Sequence, residues 1–369
     1  MSGRKRKQKR RHAACVLALA LMLGLVVSGC GRYAETDHEG RKTEEAGEDA
    51  VRIGISFDSF VIERWLRDRD VFVSTAQSLG AEVNVQNANG EVSEQIAQIR
   101  YLISKKMNVI VIVAIDASKL SEVIGEAKDA GIRVVCYDRL ILNAGTDLYV
   151  SFDNEKVGTL MAQALEDSLP EGGDVFEILG SASDNNTTQV RHGFEQELKN
   201  SGLNIIYSTY CDNWLAELAF DAVNEGLEKN GGSVDGVMCG NDDLAGQAIK
   251  ALTEHKLAGI VPVVGQDADL SGCQRIVEGT QTMSVYKSVE EEAQVAARLT
   301  VALAKGEDIT GEDAEIKVSG TISDGTWDVP YYRIDPVAVT KNNMDKVIID
   351  GGFHLREDVY MNVGETEEK

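Results

Sequence analysis

Positive charge is scarce in this chain: 37 Lys and Arg stand against 60 Asp and Glu, a net charge of −23 over 369 residues. Residues 1–29 hold seven of the basic side chains and no acidic one, so the remainder stands at −30. A nucleic-acid surface needs a basic footprint, so no nucleic-acid partner is expected, and the acidic balance serves solubility and mutual repulsion. Cysteine is sparse too, six in all with no CxxC pair, which excludes the usual zinc and redox spacings. The histidines, His12, His38, His192, His255 and His354, have no metal or triad companion nearby in the sequence. Nor is there a GxGxxG, a P-loop or a GxSxG; the first strand candidate runs into Asp58-Ser59-Phe60. Dinucleotide, nucleotide and serine-hydrolase chemistry each need one of those motifs, so neither an enzyme nor a cofactor is expected.

What is present begins with an export signal. Arg4, Lys5, Arg6, Lys7, Lys9, Arg10 and Arg11 precede an apolar stretch, Ala13–Val27, of fifteen residues. That is short of the roughly 20 a spanning helix needs and suits the h-region of a signal peptide over residues 1–29. Val27-Ser28-Gly29-Cys30 then resembles the lipobox of bacterial lipoproteins, with Cys30 as the lipidated residue and an extracytoplasmic, membrane-anchored location. Residues 31–50 are polar and Glu-rich, unable to bury enough surface to order themselves, and read with Cys30 as a tether. Cys15 leaves with the signal, and Cys136, Cys211, Cys239 and Cys273 stay at wide spacing. Cys136 and Cys239 fall in apolar runs as small buried hydrophobes, and an exported protein can still form one disulfide among the four.

From residue 51, short β-rich runs alternate with helix-length amphipathic stretches. Strand candidates at 51–56, 82–87, 108–114, 133–138 and 148–153 enclose helices near 64–79, 92–105 and 118–130. The alternation restarts with strands at 175–180, 204–211, 236–240 and 262–267 and helices near 155–168, 187–200, 214–229, 243–255 and 269–278. The fold class expected is α/β, two doubly wound parallel-sheet domains. Ligands of open parallel sheets sit beyond the carboxyl ends of the strands, and the polar residues gather there: Asp58 and Glu63-Arg64-Trp65, Asp138-Arg139, Asp153-Asn154, Ser183–Asn186, Asp212-Asn213-Trp214, Asn241-Asp242-Asp243 and Gln266-Asp267. Two such edges facing across a cleft would make one site.

The segments Glu63-Arg64-Trp65, Tyr137-Asp138-Arg139, Ser151–Gly158, Asp184-Asn185-Asn186, Gly265–Asp269 and Gly279–Lys287 resemble the periplasmic sugar-binding proteins of the ribose and galactose type, most closely the D-xylose-binding subfamily of ABC importers. The resemblance covers roughly residues 51–355. It implies a type I periplasmic binding protein with a three-segment hinge, crossing near 153–156, 284–288 and 326–335. The domains would be 51–153 plus 287–326 and 154–286 plus 327–355, with a tail at 356–369. By position, Arg64, Asp138, Arg139, Asn186, Arg191, Asn241, Asp267 and Lys287 would hydrogen-bond sugar hydroxyls, and Trp65 and Trp214 would give apolar ring contacts. A hydroxyl donates once and accepts twice, so carboxylates beside guanidinium or ammonium groups satisfy it with charge-assisted bonds. On residues alone, Trp214 fits core burial and ligand stacking equally. The implied partners are a monosaccharide, D-xylose first, and an ABC importer permease, with a membrane sensor kinase as the alternative recipient; the protein would be a monomer.

One motif is a decoy. Asp267–Gly272 followed by Glu278 fits the EF-hand calcium pattern, but Gln274 stands where an aliphatic belongs and an apolar strand, not a helix, leads into Asp267. No metal is expected.

Overall fold

The computed structural model describes residues 50–199 and 201–363; the signal, Cys30 and tether readings lie outside them. Val109–Ile112, all Val and Ile, is buried along its whole length, as is Val263–Gln266, the pattern of parallel strands covered by helices. They build two sheets. In the first, β1 (Arg52–Phe57), β2 (Glu82–Asn87), β3 (Val109–Ile112), β4 (Arg133–Tyr137) and β5 (Leu148–Phe152) alternate with α1 (Arg64–Ser78), α2 (Val92–Ser104) and α3 (Ser121–Asp129). In the second, β6 (Gly173–Leu179), β7 (Leu203–Tyr210), β8 (Gly236–Cys239), β9 (Val263–Gln266) and β10 (Met283–Tyr286) follow α4 (Asn154–Ser168) and alternate with α5 (Asn185–Leu198), α6 (Glu217–Lys229), α7 (Asp242–Glu254) and α8 (Leu270–Glu278). The expected doubly wound architecture is therefore present twice, in the strand orders β5-β4-β3-β1-β2 and β10-β9-β8-β6-β7.

The chain crosses between lobes three times. The first crossing is Asp153, whose carboxylate caps α4 by accepting from the Lys156 N–H. Lys287 and Ser288 make the second, between β10 and α9 (Val289–Ala304), which returns to pack on α1 of the first lobe. The third falls at the end of the expected range, 326–335, so the expected domain boundary at 326 is displaced. Residues 328–334 belong to the first lobe and not to the expected second domain: β12 (Asp328–Ile334) pairs in parallel with β5, and β11 (Gly320–Ser323) pairs with β12. The crossing is thus Asp335-Pro336, before β13 (Val337–Val339) joins β10. Too little patterned sequence separates 320 from 339 for these short strands to be placed by periodicity. The expected tail also starts too early: α10 (Arg356–Val359) is folded onto the second lobe, with Val359 buried among Cys273, Ile276 and Val277.

Glycine allows the closest helix contact. A Cβ on Gly158 of α4 would lie 1.9 Å from the Val190 carbonyl oxygen, and one on Gly193 of α5 equally close to that of Glu155. Mid-helix glycine costs about 1 kcal/mol against alanine, and here it is what lets the two backbones touch. Cys136, Cys211, Cys239 and Cys273 are all buried free thiols.

Candidate ligand-binding site

Both sheets present their strand ends to one cleft. Asp138 leaves β4 with φ 60° and Asp267 leaves β9 with φ 91°, conformations that cost an ordinary side chain about 1–3 kcal/mol and cluster at functional sites. Arg64 opens α1, Lys287 sits in the second crossing, and Asn186 lies in the first turn of α5 behind its N-cap Asp184. Asn241 caps α7, its side-chain oxygen accepting from the Leu244 N–H at 2.9 Å, which leaves its amide NH2 to the cleft. Trp214 ends a single turn, Asp212–Trp214.

These residues close a cavity of about 290 Å³, its mouth included, lined by Ile62, Arg64, Trp65, Asp138, Arg139 and Lys287 together with Asp184, Asn186, Trp214, Asn241, Gln266 and Asp267 from the second lobe. Nine of the ten residues expected in the site therefore meet. Arg191 does not. Five residues beyond Asn186, it falls about 140° round the helix, where it pairs with Glu195 at 2.7 Å and Glu177 at 3.3 Å and donates to the Tyr210 hydroxyl. Asp184, Gln266 and Ile62 complete the lining outside those ten. The first two are among the polar strand-end residues of the sequence, whereas Ile62 carries no polar signal.

Charges in the cleft are heavily shared. Arg139 is 4% exposed and bridges the lobes, 2.7 Å from Asp58 on one side and 2.7 Å from Asp184 on the other. The Asn186 amide donates to Asp138 Oδ1 at 2.9 Å, again across the cleft. Arg64 Nη1 lies 3.1 Å from Asp138 Oδ2 and 3.8 Å from Asp267 Oδ1, and Lys287 Nζ is 2.8 Å from the same Asp267 oxygen. Burial pushes the Asp138 carboxyl up, but Arg64, Lys287 and Arg139 outweigh it and hold the group below its ordinary value. For Asp58 and Asp184 burial wins over Arg139, and both are raised. Arg64 is burdened by burial yet ends well above its ordinary pKa because Asp68, Asp138, Glu292 and Asp267 surround it.

The cavity also gathers buried polar atoms that make no hydrogen bond among the described residues, some of them held only by ion pairs. Three are donors, Arg64 Nη1, Trp65 Nε1 and Asn241 Nδ2; three are acceptors, Asp138 Oδ2, Gln266 Oε1 and Asp267 Oδ1. Trp65 Nε1, Asn241 Nδ2 and Gln266 Oε1 have no ion-pair partner either, and each costs about 1–3 kcal/mol unless something completes it. A larger groove of about 1020 Å³ on the outside of the first lobe, between Leu79, Leu299 and Ile316, holds none of them. The balanced set fits a small neutral molecule rich in hydroxyls. Trp214 lies against Gly180, where a Cβ would come within 2.2 Å of its ring, and its indole N–H donates to Asp184 at 3.2 Å. Trp65 is 1% exposed, with the guanidinium carbons of Arg64 and Arg139 4.6 and 5.4 Å from its ring centroid, so it offers the cavity its N–H.

A family profile described as the periplasmic binding protein domain matches residues 53–308. The chain belongs to that family. As a periplasmic binding protein it is an extracytoplasmic binding component and not an enzyme, in line with the sequence reading. It is similar to the D-xylose-binding periplasmic protein of Haemophilus influenzae, 43% identical over 84% of this chain and 92% of the relative. It is likewise similar to the D-xylose-binding periplasmic protein of Escherichia coli, 42% identical over 84% and 92%. Among solved structures, an ABC transporter solute-binding protein from Clostridium phytofermentans with bound β-D-glucose superposes with a TM-score of 0.75 at 26% identity, covering 84% of this chain and 99% of the other. The EF-hand-like run is explained within this fold: Asp267 faces Arg64 and Lys287, and Leu270–Glu278 is helical where a calcium loop would be extended.

Proposed function

We propose that this periplasmic binding protein captures one neutral monosaccharide, D-xylose before its stereoisomers, and hands it to the permease of an ABC importer. The supporting observation is the set of three donors and three acceptors around one small cavity that make no hydrogen bond among the described residues, half of them held only by ion pairs. A pyranose brings hydroxyls that each donate and accept, so one ring can complete atoms of both kinds. A sugar acid or phosphate would instead set its charge against Asp138 and Asp267. The names of the two xylose-binding relatives support the choice of pentose. Calorimetry on the full chain with D-xylose, L-arabinose, D-ribose, D-galactose and D-glucose tests this reading. We expect one site with Kd on the order of micromolar for D-xylose, about −8 kcal/mol; tighter binding of all the other sugars would remove xylose from the proposal.

Because the lining comes from both lobes, sugar stabilises the closed arrangement over an open one, and that difference in affinity is what makes a hinge motion ligand-driven. Closure is then the state a permease reads. An unchanged radius of gyration by X-ray scattering, with and without saturating D-xylose, would exclude it. Cys30 carries the lipid in this proposal, so Cys30→Ala should release the protein from membranes in detergent-free fractionation and leave sugar affinity as it was.

A further inference from the structure

Carboxylates outside the cavity hold two of the three nitrogens of the Arg64 guanidinium. Asp68, one turn along α1, accepts from Nε at 3.2 Å and from Nη2 at 3.1 Å. Glu292, in the first turn of α9, accepts from Nη2 at 2.5 Å. Both acids are 0% exposed, and neither lines the cavity. Nη2 has two hydrogens, and these two carboxylates use both. What remains for the cleft is Nη1, poised between Asp138 and Asp267.

Asp68 has a second polar contact, the Tyr137 hydroxyl, at the end of β4. Glu292 has none: Oε1 is buried without a partner, and its one hydrogen bond is to Arg64. A buried carboxyl with a single partner is expensive to keep, and orienting Arg64 is the one contact it makes in return. An arginine side chain has about 2 kcal/mol of rotamer entropy to lose, and a guanidinium already fixed on its far side presents Nη1 to a ligand at no further cost in ordering. Glu292 also lies five residues beyond Lys287, so the short start of α9 sets both cations that approach Asp267.

We propose that Glu292 is a positioning residue of the monosaccharide site, saturating Arg64 Nη2 so that the Nη1 hydrogens alone face the ligand between Asp138 and Asp267. The inference rests on the reading of that cavity as the sugar site. Burial and the nearby Asp138 carboxylate push Glu292 well above its ordinary pKa despite Arg64, so a neutral side chain of the same shape can take its place.

The test is a comparison of D-xylose affinity in the full chain for wild type, Glu292→Gln, Glu292→Met, Arg64→Ala and the Arg64→Ala/Glu292→Met pair, followed by tryptophan fluorescence up to millimolar sugar. We expect Glu292→Met to weaken binding about ten- to a hundredfold and Glu292→Gln to stay within about threefold of wild type. In the Arg64→Ala background the methionine should change affinity by less than about twofold, because no guanidinium is left to position. Wild-type affinity in Glu292→Met, equal losses in Met and Gln, or an equal loss with and without Arg64 would each overturn the proposal. Should the methionine variant fail to fold by circular dichroism, Glu292→Asp replaces it, since the shorter acid withdraws from Nη2 and should still lose about tenfold. If wild type ignores D-xylose, the same series is run with D-glucose; the choice of pentose then fails and the role of Glu292 is still decided.

Discussion

Asp138 and Asp267 hold the same place in the two sheets. Each follows the last residue of the strand next to β5 or β10, each has a left-handed backbone, and each donates its N–H at 2.8 Å to the neighbouring strand, to Val150 and Val285 respectively. Their carboxylates meet at one cation, Arg64 Nη1. The duplicated architecture therefore delivers two equivalent acids from opposite walls to one point, and a ligand hydroxyl there can be read from both lobes at once.

Removing either acid should cost the sugar site heavily and should separate their roles. Asp138→Ala and Asp267→Ala each strand buried donors, with an expected loss of about 2–4 kcal/mol in binding by calorimetry. Asp138→Ala also deletes the 2.9 Å bond from Asn186 that ties the lobes, so its sugar-free form should show the larger radius of gyration of the two. Wild-type affinity in Asp267→Ala would remove that residue from the site.

The seat of Trp214 depends on the absence of a side chain at Gly180. A methyl group there would lie 2.2 Å from the ring, and overpacking of this kind costs about 1–3 kcal/mol. In Gly180→Ala the indole must move into the cavity and release its bond to Asp184. D-xylose affinity should fall at least tenfold, about 1.4 kcal/mol, with a shift in tryptophan emission and little change in far-ultraviolet dichroism. Unchanged emission and affinity together would show that the ring is not seated on that backbone.

The strand–helix alternation through residue 286 was legible because buried parallel strands are continuous apolar runs and the helices between them are amphipathic. Polar residues at strand ends located the cleft for the same reason. Legibility failed where long-range pairing decides: β12 reads no differently from a strand of the second lobe, and only its register against β5 assigns it. It also failed where helix phase decides. Asn186 and Arg191 are equally polar and near in sequence, yet five residues leave them about 140° apart round the α-helix, which turns one to the cleft and the other to Glu177 and Glu195.

That distinction is directly measurable. Arg191→Ala should leave D-xylose affinity within about twofold of wild type, since surface-side ion pairs are worth about 0–1 kcal/mol and none of these touches the cavity. Its effect belongs to folding, because Glu177 is fully buried and already raised by desolvation, with Ser208 and Arg191 offsetting part of it. A tenfold loss of sugar affinity with an unchanged melting temperature would return Arg191 to the site.

The buried carboxyls set an unusual dependence of stability on pH. Burial raises Asp58, Asp68 and Asp184, and it raises Asp269 and Glu292 well above the ordinary range. Asp242, which accepts bonds from Gln281 and Ser284 beneath the Asp267 loop, is pushed up to about 7, burial outweighing Arg275. The unfolded chain releases these protons near pH 4, while the folded chain keeps them, so between about 4 and 7 the native state binds more protons and stability falls as pH rises. Lowered groups run the other way, Asp324 and Asp345 among them. Asp138, held low by its cations against burial, acts only below about pH 4, and His354, lowered by burial, favours folding as pH rises through about 6.5. One imidazole against the raised carboxyls, Glu177 among them, leaves the carboxyls in control. The sugar-free protein should melt at a higher temperature at pH 5.5 than at pH 7.5, and Asp242→Asn, neutral throughout, should narrow that gap. A melting temperature that climbs from pH 5.5 to 7.5 in wild type would show that these acids are ionised in the folded state.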